Sequence, residues 1–198
     1  MIQKMDIHFT KMHGLGNDFI VLNNLHNEYQ LSAEQIAVLS HRQFGVGFDQ
    51  LLSVEAASEP GVDFRYRIFN QDGQEVEHCG NGARCFAKYV LDKGLFEGDT
   101  LVVKTVNRLL TLKMGSDGSV TVDMEAPVFA PSKIPFIADG DSKLHSRRLI
   151  VSGSSVEIEF CALSMGNPHA IIRVEDLDQT AVKEIGEALG AHPDFPEG

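Results

Sequence analysis

Hydrophobic and polar positions in the first part of the chain alternate over short runs, which is typical of β-strands with one buried face. Glycine-containing turns separate these runs, notably Asp72-Gly73 and Asp117-Gly118. The predicted strand regions are 7–23 (two strands about a glycine turn), 64–69, 75–79, 101–106, 109–114 and 119–124. The pattern therefore predicts a sheet-rich N-terminal domain.

Three segments have the wider spacing of apolar residues that is typical of amphipathic helices. The first begins at Ser32, with Gln35 in capping-box position, and is predicted to end at Gly45. The second covers 80–93 and stops at Gly94. The third covers about 180–189, with Val182, Ile185 and Leu189 facing inward. On the first helix the apolar side is formed by Ile36, Leu39 and Phe44, and on the second by Ala83, Phe86, Ala87, Val90 and Leu91.

A proline-containing run at 126–131 interrupts the pattern and indicates a domain boundary, giving domains 1–125 and 126–198. Strands are predicted beyond it at 148–151, 156–164 and 170–174. The pair Gly16-Asn17 lies between two strand-like runs, and Gly166-Asn167 lies between two others. This repeated arrangement suggests a duplicated domain, and the alternative is a chance repeat of a common dipeptide.

Charge and composition exclude several classes of function. The net charge of −11 disfavours nucleic acid and anionic membranes as partners, because both need clustered basic residues. No apolar run reaches the about 18 residues of a membrane span, and the first residues lack a leader's apolar region, so a cytoplasmic protein is expected. Three cysteines are too few for a disulfide framework, and the spacing of Cys79 and Cys85 disfavours a zinc site.

The strongest chemical signal is the run HCGNGARC around Cys79, which lies where a predicted strand meets a predicted helix. Unpaired N–H groups at a helix N-terminus favour negative charge, so a lowered pKa is expected for the Cys79 thiol. The same N–H groups, near Gly80 and Gly82, can hold a carboxylate. One element could thus bind an α-carboxylate beside a proton-transferring thiol. The alternative is a buried, small, apolar cysteine beside a glycine turn.

Other polar residues also suit a small-molecule site, although each has a purely structural alternative. Asn17 follows a glycine turn, Gln50 starts an apolar run and Asn70 ends a strand before a turn. Asn167 and His169 follow the second glycine turn, and a lone histidine there is more often structural than catalytic.

Four runs in this order resemble the diaminopimelate epimerase family and together extend over nearly the whole chain. They are FTKMHGLGNDFIVLN, GFDQLL, FRYRIFNQDGQEVEHCGNGARCFAKYV and SMGNPHAI. The resemblance implies an α+β fold of two pseudo-symmetric domains, each a curved mixed β-sheet around a central helix. It also implies epimerisation of LL-diaminopimelate to meso-diaminopimelate, for lysine and peptidoglycan precursors, without metal or other cofactor.

Residue roles follow from the same resemblance. Cys79 would be one of two thiol acid/base groups. Substrate polar groups would bind the side chains of Asn17, Gln50, Asn70 and Asn167 and the backbone N–H groups of Gly80 and Asn81. His169 would tune the thiols, whereas Cys85 and Cys161 match no catalytic position. A homodimer is expected by analogy.

The second catalytic cysteine of the family is not found in this chain. A repeat of the Asn17-to-Cys79 spacing after Asn167 would place it beyond residue 198, so a truncated chain with an incomplete second domain is expected. An inactive fragment or ligand-binding remnant is therefore one alternative. Others are an epimerase of another amino acid, and a cysteine hydrolase that pairs Cys79 with His169 or His13.

Overall fold

The computed structural model describes residues 6–77 and 79–197 of the 198-residue chain. Residues 1–5, His78 and Gly198 lie outside this description, so predicted segments that include them are compared over their other residues only. The chain forms two compact units, Met1–Met124 and Glu125–Gly198, and each is described by itself.

The first unit contains a seven-stranded mixed sheet whose strand order follows the chain. The strands β2 and β3 are parallel, as are β4 and β5, and the other neighbouring pairs are antiparallel. The strands are β1 (Thr10–Gly14), β2 (Asn17–Asn23), β3 (Gln50–Ala56), β4 (Phe64–Asn70), β5 (Thr100–Lys104), β6 (Leu109–Met114) and β7 (Val120–Val122). The helices are α1 (Ala33–Ser40), between β2 and β3, and α2 (Gly80–Asp92), between β4 and β5.

The sheet curls around α2, which contacts both of its edge strands, β1 and β7. A flat seven-stranded sheet would hold its edges too far apart for one helix to touch both. Phe86, Ala83, Ala87 and Val90 of α2 are fully buried against Tyr66 and neighbouring strand residues. The predicted curved mixed sheet around a central helix is therefore confirmed in this unit.

The first helix begins as predicted but ends earlier. The capping box is present: the Ser32 hydroxyl accepts the Gln35 N–H, and the Gln35 side chain accepts the Ser32 N–H. The helix ends at Ser40 rather than at Gly45, because the Leu39 carbonyl accepts the N–H groups of residues 46 and 47 from a turn that folds back. Phe44 is outside the helix and 86% exposed, so its predicted place on the apolar side is wrong.

The extended run predicted at 75–79 forms no named strand over its described residues. Among its described residues only Glu75 makes a bridge, to Phe69, before the chain turns into α2. Cys79 itself keeps an extended backbone.

The second unit has a three-stranded antiparallel sheet with β9 at its centre and one α-helix. Its elements are β8 (Leu144–Val151), β9 (Ser154–Ser164), β10 (Pro168–Ile171) and α3 (Val182–Gly190), with a 3₁₀ turn at Pro131–Lys133. Strand β8 begins four residues before its predicted start, and β10 ends at Ile171 where a strand to Val174 was predicted. Leu189 is buried, but Val182, predicted inward, is 58% exposed because it is the first residue of α3.

The two Gly-Asn pairs, Gly16-Asn17 and Gly166-Asn167, have similar local surroundings. Gly16 (φ 88°) and Gly166 (φ 106°) both adopt a backbone conformation that favours glycine, and each turns the chain between antiparallel strands. A helix follows in each unit. These shared features favour a duplication, which stays a prediction.

Across the described ranges, 6–77 and 79–197, no helix is long and apolar enough to span a membrane.

Candidate functional site

Four of the predicted site residues meet at one end of the first unit. Strands β2 and β3 are parallel, so Asn17 and Gln50, their first residues, lie at the same end of the sheet. Strand β4 runs in the opposite direction, so its last residue, Asn70, pairs directly with Gln50. Cys79 joins them because the Cys79 thiol lies 3.8 Å from the Asn17 amide oxygen.

Cys79 is the N-cap residue of α2, as the sequence predicted. Its Sγ accepts the backbone N–H of Gly82 at 3.3 Å, in the position where a serine or aspartate oxygen commonly caps a helix. The same sulfur donates its S–H to Asn17 Oδ1. Among the described residues, these hydrogen-bond partners include no histidine, so the geometry gives no support to a Cys–His hydrolase pair.

The expected lowering of the Cys79 pKa is wrong for this structure. Burial raises the pKa of the Cys79 thiol, and this effect outweighs the N–H groups of Gly82 and Asn81 and the charge of Arg84, which act to lower it. Desolvation disfavours the thiolate because the charged form loses its water. The shift of the Cys79 pKa therefore favours the thiol over the thiolate.

Asn17 connects Cys79 to a charged cluster. Its Nδ2 donates to Asp49 Oδ2 at 2.9 Å, and the same oxygen accepts the Asp18 N–H. Arg42 donates to Asp49 Oδ1 at 2.7 Å and to both carboxylate oxygens of Asp18. These ion pairs hold the pKa of Asp18 well below its usual range, with the Arg42 hydrogen bond the largest cause.

Gln50 and Asn70 form a side-chain pair across β3 and β4. Gln50 Nε2 donates to Asn70 Oδ1 at 2.9 Å. Gln50 Oε1 is buried and has no hydrogen-bond partner among the described residues. A buried acceptor without a donor is costly, so this oxygen is suited to a ligand N–H group.

Gly80 and Asn81 are the first two residues of α2. The Asn81 side chain accepts a hydrogen bond from Arg84. A Cβ at Gly14 would lie 3.3 Å from Asn81 Cβ, so the end of β1 packs closely against the start of α2. These contacts fix the N-terminus of α2, where backbone N–H groups are suited to an anion.

Tyr66 lies beneath the N-terminus of α2. Its hydroxyl is fully buried and has no hydrogen-bond partner among the described residues. A Cβ at Gly82 would overlap this hydroxyl oxygen, so the sequence requires glycine there. Burial raises the Tyr66 pKa well above its ordinary value, and the neighbouring cysteines add to the effect.

We expect Gly82→Ala to lower the free energy of unfolding by about 1–3 kcal/mol, because the new methyl group forces Tyr66 or α2 to move. In a Tyr66→Phe background most of this loss should disappear. Tyr66→Phe alone should be neutral or stabilising, since it removes an unsatisfied buried hydroxyl. Urea unfolding of the four proteins measures the coupling, and equal losses in both backgrounds would contradict the steric explanation.

The other two predicted site residues belong to the second unit. Asn167 and His169 are both exposed, and His169 Nδ1 lies 2.9 Å from the Asn167 carbonyl oxygen. Since a carbonyl oxygen only accepts, Nδ1 carries the hydrogen and Nε2 of the neutral ring is an acceptor. His169 borders an apolar cavity of about 440 Å³ within this unit, lined also by Ile134, Ala162, Ile172, Leu189 and Phe195.

The three cysteines are free thiols. Cys85 is buried on α2, and Cys161 lies on β9 with its thiol near the Ala162 carbonyl. Over 6–77 and 79–197, no three His, Cys, Asp or Glu side chains are grouped so that they could hold a metal ion.

Sequence reasoning missed Arg42, Asp49 and Tyr66. Asp49 directly precedes Gln50, and the parallel alignment of β2 with β3 brings it to Asn17. The alternation of β4 placed Tyr66 on the buried face with Phe64 and Ile68, but its nearness to α2 depends on tertiary packing.

Comparison with known proteins identifies relatives of nearly the whole chain. Residues 9–130 match the family model described as diaminopimelate epimerase. A diaminopimelate epimerase of Chromobacterium violaceum is 49% identical over 193 residues, which cover 98% of this chain and 68% of the relative. One from Thioalkalivibrio sulfidiphilus is 50% identical, with 97% and 68% covered. The chain thus spans about two thirds of the length of these relatives.

A solved structure supports the fold. The hydroxyproline epimerase from Agrobacterium vitis, with bound trans-4-hydroxy-L-proline, superposes with a TM-score of 0.59 at 16% sequence identity. The superposition covers 87% of this chain and 53% of that protein. At this identity the likeness concerns the fold, and it confirms the predicted α+β class.

Proposed function

The chain belongs to the diaminopimelate epimerase family of amino-acid epimerases, and from this we propose that Cys79 exchanges a proton with the α-carbon of diaminopimelate. The reaction interconverts the LL and meso isomers. The observation that carries the proposal is the Cys79 thiol at the N-terminus of a buried helix, bound by the Gly82 N–H and the Asn17 amide oxygen.

Substrate binding is proposed at the same end of the sheet. The N-terminus of α2, at Gly80 and Asn81, would receive the α-carboxylate, because helix N-termini favour anions. The unpartnered Gln50 Oε1 would accept from a substrate ammonium group, with Asn70 holding the amide in place. Asn17, and Asn167 in the second unit, would bind the remaining polar groups.

Inversion of the α-carbon requires two acid/base groups, one on each of its faces. A base on one face takes the α-proton, and an acid on the other returns a proton to the resulting carbanion, so the centre inverts. Burial raises the pKa of Cys79 and so favours its thiol form, which would act first as the acid. It then remains as a thiolate, which is the base for the reverse reaction.

Cys85 is not proposed as the second acid/base group, because its side chain is buried in the core on α2. Cys161 is not proposed either, since its thiol faces a strand carbonyl. By family analogy alone, His169 is proposed to tune the catalytic thiols. A homodimer and a cytoplasmic location belong to this proposal by family analogy.

The test is α-deuterium incorporation in D₂O. LL-diaminopimelate is incubated with the chain, and its mass and stereochemistry are followed, with proline and glutamate as matched alternative substrates. We expect one deuterium at an inverted α-carbon of diaminopimelate only, with the second proton supplied by a group other than Cys85 and Cys161, for example one in a partner chain. No exchange into any of the three amino acids would support the inactive-fragment alternative. Exchange into another amino acid but not into diaminopimelate would support the epimerase alternative. Binding without exchange would support the ligand-binding remnant.

A further inference from the structure

The two ends of the Asn17 amide have different partners. Its Nδ2 donates to the Asp49 carboxylate at 2.9 Å, and its Oδ1 accepts from the Cys79 thiol at 3.8 Å. An amide side chain can rotate by half a turn and exchange these ends at little cost in shape. The orientation therefore depends on the chemistry of its partners.

Asp49 permits only one of the two orientations. An ionised carboxylate accepts hydrogen bonds and cannot donate them, so the amide NH₂ must face Asp49 and the amide oxygen must face the thiol. Asp49 is itself held at both oxygens, by Arg42 at 2.7 Å and by the Asp18 N–H at 3.0 Å. The reversed amide would put its oxygen against the carboxylate.

We propose that Asp49 is a positioning residue that, through the orientation it imposes on Asn17, keeps the Cys79 thiol in its proton-donating form. Among the described residues its carboxylate bonds to Asn17, Asp18 and Arg42 and not to the thiol, so its effect passes through the Asn17 amide. This inference rests on the proposed role of Cys79 as an acid/base group.

The effect has a definite direction. A hydrogen bond to the neutral form of a group raises its pKa, so the Asn17 oxygen opposes loss of the thiol proton, whereas a reversed amide would donate to the thiolate. Other groups that act on Cys79 are the N–H groups of Asn81 and Gly82 and the charge of Arg84, which favour the thiolate. Cys85, also on α2, and Tyr66 on β4 lie close enough to interact with it.

The experiment measures the pH dependence of Cys79 alkylation by iodoacetamide, resolved by peptide mass spectrometry. Cys161, in the second unit, is an internal reference in each sample. In Asp49→Asn the amide of Asn17 is free to reverse. We expect the midpoint for Cys79 to fall by about 0.5–1 pH unit, with the Cys161 profile unchanged.

A double-mutant cycle separates orientation from charge, because Asp49→Asn also removes a negative charge near the thiol. The same substitution in an Asn17→Ala background should move the midpoint by less than about 0.2 unit. Asp18→Asn is the matched control, because it removes the other carboxylate bound by Arg42. Over the described residues, the Asp18 side chain shows no hydrogen bond to Asn17. Asp18→Asn should shift the alkylation midpoint of Cys79 by less than about 0.2 unit.

Equal shifts in both Asn17 backgrounds, or no shift with Asn17 present, would overturn the inference. Circular dichroism checks that each variant folds, and Asp49→Ala serves if Asp49→Asn does not. Alanine removes the carboxylate that dictates the orientation of the Asn17 amide, so the same downward shift is expected. Alkylation requires no turnover, so the pH dependence of Cys79 alkylation can be interpreted even if the proposed epimerase reaction is not observed.

Discussion

Replacement of Cys79 by serine is expected to reduce α-proton exchange by about 10²–10⁴-fold, the usual contribution of one positioned proton-transfer group. Serine retains an acceptor for the Gly82 N–H and is itself a favoured N-cap, so α2 should keep its start and its stability. Its hydroxyl is a far weaker acid than a thiol, so it cannot cycle between the two protonation states at neutral pH.

The measurement is the rate of deuterium incorporation into diaminopimelate, with Cys161→Ala as the matched control. Cys161 lies on β9 in the second unit, and its thiol faces a backbone carbonyl. The control should retain the rate of the unsubstituted chain within about twofold. Comparable exchange by Cys79→Ser and the unsubstituted chain would remove Cys79 from the proposed mechanism.

The place of Cys79 could be predicted because the signals for it are local. Apolar spacing after Gly80 indicates a helix, Gly94 indicates its end, and both agree with α2. The direction of the Cys79 pKa shift could not be predicted in the same way. It depends on how deeply Tyr66 and its neighbours bury the thiol, which adjacent sequence does not encode.

The contacts of Asn17 show a second limit of local reasoning. Its hydrogen bond to Asp49 joins residues 32 positions apart, and only the parallel pairing of β2 with β3 brings them together. Parallel pairs leave no turn signature, because their connection is long. The antiparallel hairpin of β1 and β2, by contrast, was predicted from its glycine turn.

The end of α1 was predicted less well than its start for a related reason. The capping box at Ser32 involves two side chains three positions apart, so the sequence displays it directly. The end of α1 depends on backbone groups of residues 46 and 47 that return to the Leu39 carbonyl. Any residue supplies such groups, and the sequence therefore contains no comparable signal.

We expect Phe86→Ala to lower the free energy of unfolding of the first unit by about 3–5 kcal/mol, the largest stability effect among the substitutions considered. Phe86 is fully buried on α2, with its ring centroid 4.6 Å from that of Tyr66 and 6.1 Å from that of Phe64. The curled sheet surrounds this helix, so the cavity left by the ring cannot close by a simple shift of α2.

Phe44→Ala is the matched control, since Phe44 is 86% exposed and its removal should change stability by less than about 0.5 kcal/mol. Urea unfolding followed by circular dichroism gives the free energies, and amide hydrogen exchange of α2 reports the first unit directly. Similar small losses for both variants would show that α2 is not the centre of the core. A large loss confined to Phe86→Ala would show that the packing of the Phe86 ring holds α2 in place. Cys79 is the N-cap of that helix, so the same packing positions the thiol.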